Sequence, residues 1–229
     1  MKGNSLNINA ITQILNSMIA LIVALTFHEA AHALAASLQG DDTARREGRL
    51  TLNPIPHMDP LGTVFFPLLG LIAGSAIFGW AKPVPVDQRN LRYPRWGNVA
   101  VSLAGPFMNI VLCFLSLVAL GLYYTHPGDT GPLEAIVMPF MRLAEKSVTI
   151  NAILAAFNLI PLPPLDGGSV VSALLPDDLR ERFENLVAPY AIFIILALSM
   201  TGGLRWVGHV AQTIIAFSQQ AAFAVVGAF

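Results

Sequence analysis

Charge is what this 229-residue chain has least of. Asp, Glu, Lys and Arg together make up 12% of it, about half the share of an ordinary soluble domain. The few charges nearly cancel, to a net −1, and no basic cluster stands out. That excludes a nucleic-acid partner, whose phosphates demand Lys and Arg in quantity. Cysteine is almost as scarce: Cys113 is alone, so no internal disulfide is possible. It lies in an apolar run and reads as a small buried hydrophobe. No internal repeat and no low-complexity tract is visible. A cleavable signal peptide is not expected, because the first apolar run carries the polar residues discussed below.

What the chain does have is apolar length, with 55% hydrophobic residues. Its runs have the length of a bilayer crossing rather than of a soluble core. The first extends from about Ile8 to Leu38, with Gly40 as its stop. Gly48–Pro54 alternates briefly and ends in Pro, which suits a strand or hairpin. Leu61–Ala81 is apolar but broken by Pro67, Gly70, Gly74 and Gly79, and reads as a re-entrant or broken segment. Pro83–Asp87 cannot be helical and favours an extended edge. Val99–Tyr124 is a second span, interrupted at Gly105-Pro106. A polar turn is expected at His126–Pro132. Ala135–Leu159 is a third span, Asp177–Glu184 a charged surface helix, and Leu186–Met200 and Val207–Val226 two more spans. The expected fold is therefore an all-α polytopic membrane protein. It has about five to six transmembrane or re-entrant segments, with short β-like pieces near the cytoplasmic face. The whole of 1–229 reads as one membrane domain, with a core at about 14–175 and extra C-terminal helices at about 185–227. Arg45, Arg46, Arg49, Lys82, Arg89, Arg92 and Arg95 flank Leu61–Ala81 on both sides, and the turn at 125–133 lacks Lys and Arg. The positive-inside rule puts 41–60 and 82–96 in the cytoplasm.

Inside the first run stands His28-Glu29-Ala30-Ala31-His32. Two imidazoles four residues apart share one helix face, about 6 Å apart along the axis. That spacing suits one zinc ion, and Glu29 between them can act as base toward a water the metal polarises. Ionisable groups in such a run cost roughly 2.5–3.5 kcal/mol each on insertion scales and are rarely kept without a role. Hydrolytic zinc takes three protein ligands. The candidates for the third are Asp166, His57, Cys113, His209 and Glu145. Asp166 is the best of them. Pro161, Pro163 and Pro164 unwind the chain before it, and Gly167-Gly168 allow a sharp turn after it. The competing reading makes Asp166 the N-cap of a helix over Ser169–Leu175. Elsewhere the plain readings are a helix–helix hydrogen bond for Asn109 and a close-packing notch for Gly105-Pro106. His57 reads as a loop residue, His126 as part of a solvated turn and His209 as interfacial.

His28-Glu29-x-x-His32 with Asn158…Leu165-Asp166-Gly167 resembles the site-2 protease family of intramembrane zinc metalloproteases. Ala104-Gly105-Pro106-x-x-Asn109 and Gly79–Val86 are similar to its compact prokaryotic branch. The resemblance covers roughly residues 20–175. It implies one zinc held by His28, His32 and Asp166, Glu29 as catalytic acid/base, and Asn109 and Asn158 as substrate-binding residues. It also implies cleavage of transmembrane protein substrates in the bilayer of a prokaryotic plasma membrane, with the active site toward the cytoplasm. Two other classes compete. One is a non-catalytic zinc-binding membrane scaffold, against which the intact Glu29 argues. The other is a metal transporter, which needs polar residues along a path across the whole bilayer.

Overall fold

The computed structural model describes residues 8–72, 79–125 and 134–227. Among them the regular structure is helical, with no strand. The helices are α1 (Ile8–Leu38), α2 (Thr43–Arg46), α3 (Phe66–Ile72), α4 (Pro94–Thr125), α5 (Glu134–Asn158), α6 (Asp166–Leu174), α7 (Asp177–Val187), α8 (Ala191–Met200) and α9 (Arg205–Val226). Among the described residues three stretches are long and apolar enough to cross a membrane: Ile11–Leu38, Pro94–Thr125 and Asp177–Met200. α5 and α9 have the length but are not among them. Of the five to six transmembrane or re-entrant segments expected, three meet this measure. Arg142, Glu145 and Lys146 dilute α5, and Gln212, Gln219 and Gln220 dilute α9.

α1 and α4 run antiparallel: Ala24 and His28 meet Asn109, and His32 meets Val101. α5 packs on both, and α9 packs on α4 and α5 from the other side. Alanines make this closeness possible, because without long side chains the backbones can approach. Ala24, Ala33 and Ala36 on α1 and Ala152, Ala155 and Ala156 on α5 are all fully buried. A second apolar cluster joins Cys113, Val148, Ala152, Ala156, Val207 and Ala211. Cys113 is therefore a core residue.

Several sequence expectations meet a correction. Gly105-Pro106 does not interrupt its span, because α4 begins earlier, at Pro94, and runs on through Pro106. A proline at the first turn is pre-shaped for a helix, and packed neighbours offset the bond lost at Pro106. Gly48–Pro54 is not a strand but a run of turns and bends. Gly48 has φ +69°, the Thr51 hydroxyl accepts from Asn53 N–H, and the Asn53 side chain accepts from Ile55 N–H. Such side-chain turns compete with strand pairing. Pro83–Asp87 is non-helical as expected, but it pairs with no other strand among the described residues.

Leu61–Ala81 begins with a single π-helical stretch, Pro60–Phe65, capped by the Asp59 carboxylate, and continues as α3. The chain then returns to its start. Trp80 N–H donates to Gly62 O at 3.0 Å, and Thr63 Oγ1 donates to Trp80 O at 2.9 Å. A Cβ on Gly62 would strike the Trp80 ring, and one on Gly79 would lie 2.5 Å from Gly62 O. Both glycines are therefore required for the crossing. Residues 73–78 and the turn at 126–132, His126 included, lie outside the described residues.

Asp41 fastens the end of α1 to the segment after Ala81. It is fully buried, accepts from Thr43 N–H and Oγ1 and from Asn90 Nδ2, and takes Asp87 N–H at 2.8 Å. Burial pushes its pKa up, but the donors from Thr43, Asp87 and Asn90 outweigh that and hold the carboxyl below its ordinary range.

Candidate metal centre

His28, Glu29 and His32 lie on the C-terminal half of α1. His28 sits roughly ten residues, or about 15 Å, before the end of the helix. All three are buried. One donor atom from each falls within 4.8 Å of the others. Asp166 reaches the same point from a distant part of the chain. Its Oδ2 is 3.2 Å from His28 Nε2, and its Oδ1 is 3.3 Å from His32 Nε2.

The route of Asp166 follows from its local sequence. α5 ends at Asn158, and three prolines keep the next residues out of a helix. Short turns fold them, with Leu162 N–H on Ile160 O at 2.8 Å and Leu165 N–H on Leu162 O at 2.9 Å. α6 then starts at Asp166 itself, with Leu165 at the cap and no side-chain cap bond. The N-cap reading therefore gives way: the carboxylate faces the imidazoles instead of its own helix. Gly167 is needed because a Cβ there would stand 2.5 Å from Ile160 O. Gly168 is needed because a Cβ there would overlap the Leu162–Pro163 peptide.

The hydrogen bonds behind the rings fix which nitrogens carry protons. Val101 O can only accept, so His32 Nδ1, 2.7 Å away, donates to it. Asn109 Nδ2 donates to Ala24 O at 3.3 Å and to Asn151 Oδ1 at 2.8 Å. That leaves Asn109 Oδ1 to accept from His28 Nδ1 at 2.6 Å. Both Nδ1 atoms thus carry protons, so in the neutral form of each ring it is Nε2 that offers its lone pair to a metal. Yet the two Nε2 atoms lie only 3.0 Å apart, and Asp166 Oδ2 is buried with no donor of its own. Converging acceptors repel one another unless a cation sits among them. Nitrogen and carboxylate donors in this number suit zinc. Gly105 on α4 roofs the cluster. A Cβ there would collide with His32 Nε2 and lie 2.6 Å from His28 Nε2, so a side chain would fill the cradle.

Glu29 does not face the rings alone. Its Oε2 accepts Val84 N–H at 2.8 Å. The segment carrying Val84 is pinned on both sides: Lys82 N–H donates to His57 O at 2.9 Å, and the buried Arg49 donates to Lys82 O and Pro83 O at 3.0 and 2.8 Å. Pro83 and Pro85 have no N–H, so Val84 is the lone amide donor between them.

The other candidates lie elsewhere. His57 is buried in a short 3₁₀ turn with Nε2 on Thr51 O at 3.0 Å. Cys113 is in the α4–α9 core, His209 is exposed on α9, and Glu145 accepts from the Tyr124 hydroxyl at 3.2 Å. Asn158 donates to Leu154 O at 3.0 Å and is half-buried. Asn109 is fully enclosed, and its amide is occupied by His28, Ala24 and Asn151. Sequence reasoning missed Asn151, Val84 N–H and the Val101 carbonyl. Only Asn151 left a trace, as an amide buried with Ala152, Ala155 and Ala156 in the apolar last turns of α5.

Peptidase family M50 matches residues 131–198. YwhC of Bacillus subtilis (strain 168), which carries the name of a zinc metalloprotease, is 40% identical over 184 residues, 80% of each chain. Rip2 of Mycobacterium tuberculosis (strain H37Rv), similarly named, is 27% identical over 196 residues, 80% of this chain and 66% of Rip2. Rip2 of Mycolicibacterium smegmatis is 29% identical over 189 residues, 81% of this chain and 67% of that one. No solved structure matches significantly. With that identity to YwhC across four-fifths of both proteins, the chain belongs to peptidase family M50, the site-2 protease family.

Proposed function

We propose that the protein is a zinc-dependent intramembrane endopeptidase that cuts peptide bonds in or near transmembrane segments of other membrane proteins. The observation that carries this reading is the meeting of the His28 and His32 Nε2 atoms with the Asp166 carboxylate beside Glu29. His28, His32 and Asp166 would hold one zinc ion. Bound there, zinc would polarise the scissile carbonyl and make a water acidic near neutral pH. Glu29 takes the proton of the attacking water and delivers it to the amide nitrogen as the C–N bond breaks. His28 and His32 keep their Nδ1–H bonds to Asn109 and Val101 throughout, which holds both rings in one orientation.

A helical substrate hides its carbonyls in i→i−4 bonds, so it must unwind to be cut. Val84 offers one amide donor beside Glu29, on a segment that Arg49 and prolines hold extended. An unwound substrate can take that N–H with a main-chain carbonyl, as in strand addition, and this frees Glu29 Oε2 for the water. Asn158, at the end of α5, would bind the substrate main chain. The site faces the cytoplasmic half of a prokaryotic plasma membrane, since the basic residues at 45–49 and 82–95 lie at the same end of the bundle. One catalytic domain spans the chain, with its core at about 14–175 and accessory helices at about 185–227.

The test is cleavage of single-span proteins in zinc-loaded proteoliposomes, comparing wild type with Glu29→Gln. Cleavage by the wild type alone supports the reading. Zinc binding without cleavage of any substrate would replace it with a scaffold, and zinc flux across the vesicle with a transporter.

A further inference from the structure

His28 depends on a chain of amides that reaches a third helix. Asn151 on α5 is fully buried. Its Nδ2 donates to Ser147 O and Ser147 Oγ, both at 2.9 Å. A carbonyl can only accept, so this bond fixes the amide's orientation and turns Oδ1 toward Asn109 Nδ2, 2.8 Å away. Asn109 in turn offers Oδ1 to His28 Nδ1. If Asn151 lost its grip, only the longer 3.3 Å bond to Ala24 O would hold the Asn109 amide, which could then flip and present Nδ2 to His28. Two donors would then face each other, and the imidazole would have to move its proton to Nε2, the atom that points at Asp166. Each amide in the series has two chemically different ends, so the order is polar from one end to the other.

We propose that Asn151 is a positioning residue that sets the tautomer of His28, and hence its readiness to ligate metal, through Asn109. The proposal rests on the reading of His28 as a zinc ligand. It assigns α5 a part in the site that its sequence does not announce. Partners behind metal-bound histidines change affinity about 10–100-fold when removed. One step further out, the effect expected is about threefold to tenfold.

The experiment uses the full chain in nanodiscs with three variants. Asn151→Ser carries a hydroxyl that can satisfy Ser147 O within its own helix but is too short for Asn109. It therefore folds even if Asn151→Ala does not. Asn151→Asp keeps an oxygen facing Asn109 and, in its protonated form, replaces the Nδ2 donor to Ser147 O with a carboxyl O–H. Zinc affinity is measured by competition with a chelator, and the ring tautomer by ¹⁵N shifts of His28 in metal-free protein at fixed pH. Asn151→Ser should weaken zinc binding by threefold to tenfold and mix the His28 tautomers, while Asn151→Asp stays within about twofold of wild type. Asn109→Ala combined with Asn151→Ser should bind zinc no more weakly than Asn109→Ala alone. Wild-type affinity and a single Nδ1–H tautomer in Asn151→Ser would overturn the proposal, as would additive losses in the double variant. Failure of zinc to bind the wild type would instead overturn the metal assignment on which it stands.

Discussion

α1 and α8 are both apolar enough to lie in a bilayer, yet the fold treats them in opposite ways. In the best 18-residue window of Ile11–Leu38, 44% of residues are buried, whereas in Asp177–Met200 the figure is 6%. α1 is wrapped by α4 and α5, and there it carries His28, Glu29 and His32. α8 carries Ser199 as its one polar side chain and leaves Ile192, Phe193 and Leu196 exposed. The difference shows where a membrane chain can keep ionisable groups. They survive where protein supplies every hydrogen bond that lipid cannot. Around α1 those bonds come from Val101, Asn109 and Val84, none of which is on α1.

The comparison can be broken from the α1 side. Glu29→Gln should lower kcat about 10³-fold, the scale of a lost acid/base, while zinc content stays at the wild-type value; a peptidase assay with metal analysis checks both. Gly105→Ala should follow, with zinc affinity and activity each down about 100-fold, because its methyl group enters the space the rings need. Isothermal titration on the metal-free protein reads this directly. Asp41→Ala should cost about 3 kcal/mol, since it strands the Thr43, Asp87 and Asn90 donors. The wild-type contribution of Asp41 has a defined sign. Its folded pKa lies below 3.8, so the contribution is present above that pH and fades as pH falls through the depressed value. Denaturation curves of the two proteins should accordingly converge in strong acid. Ala24→Leu, which overfills the α1–α4 contact, should cost about 1–3 kcal/mol. The smallest effect belongs to α8: Leu196→Ala, at 58% exposure, should change stability by less than about 0.5 kcal/mol. A cost comparable to that of Ala24→Leu would mean that α8 is as tightly packed as α1.

Much of this arrangement was written locally in the sequence. The bounds of α1, α5 and α9 follow from apolar length and from Gly40, Pro161 and Gly202-Gly203. His28, Glu29 and His32 follow from helical spacing. Asp166 followed from the three prolines before it and the two glycines after it, which open α6. The strand expected at Gly48–Pro54 failed because Thr51 and Asn53 turn the backbone onto their own side chains, which alternation of apolar residues does not reveal. The break expected at Gly105-Pro106 failed for a related reason. A helix can run through proline when its neighbours are close, and the closeness depends on the same glycine. Val101, Asn151 and Val84 were hidden because their partners lie 69, 42 and 55 positions away in the chain. Such meetings are properties of packing, not of pattern.

The central claim is that one metal ion is held jointly by α1 and the first residue of α6. Metal analysis of the purified full-length protein, with X-ray absorption at the zinc edge, tests it most directly. One zinc per chain with two imidazole ligands and one carboxylate is expected in wild type and in Glu29→Gln, and less than a tenth of that occupancy in Asp166→Ala. Full zinc occupancy with an unchanged absorption spectrum in Asp166→Ala would contradict it.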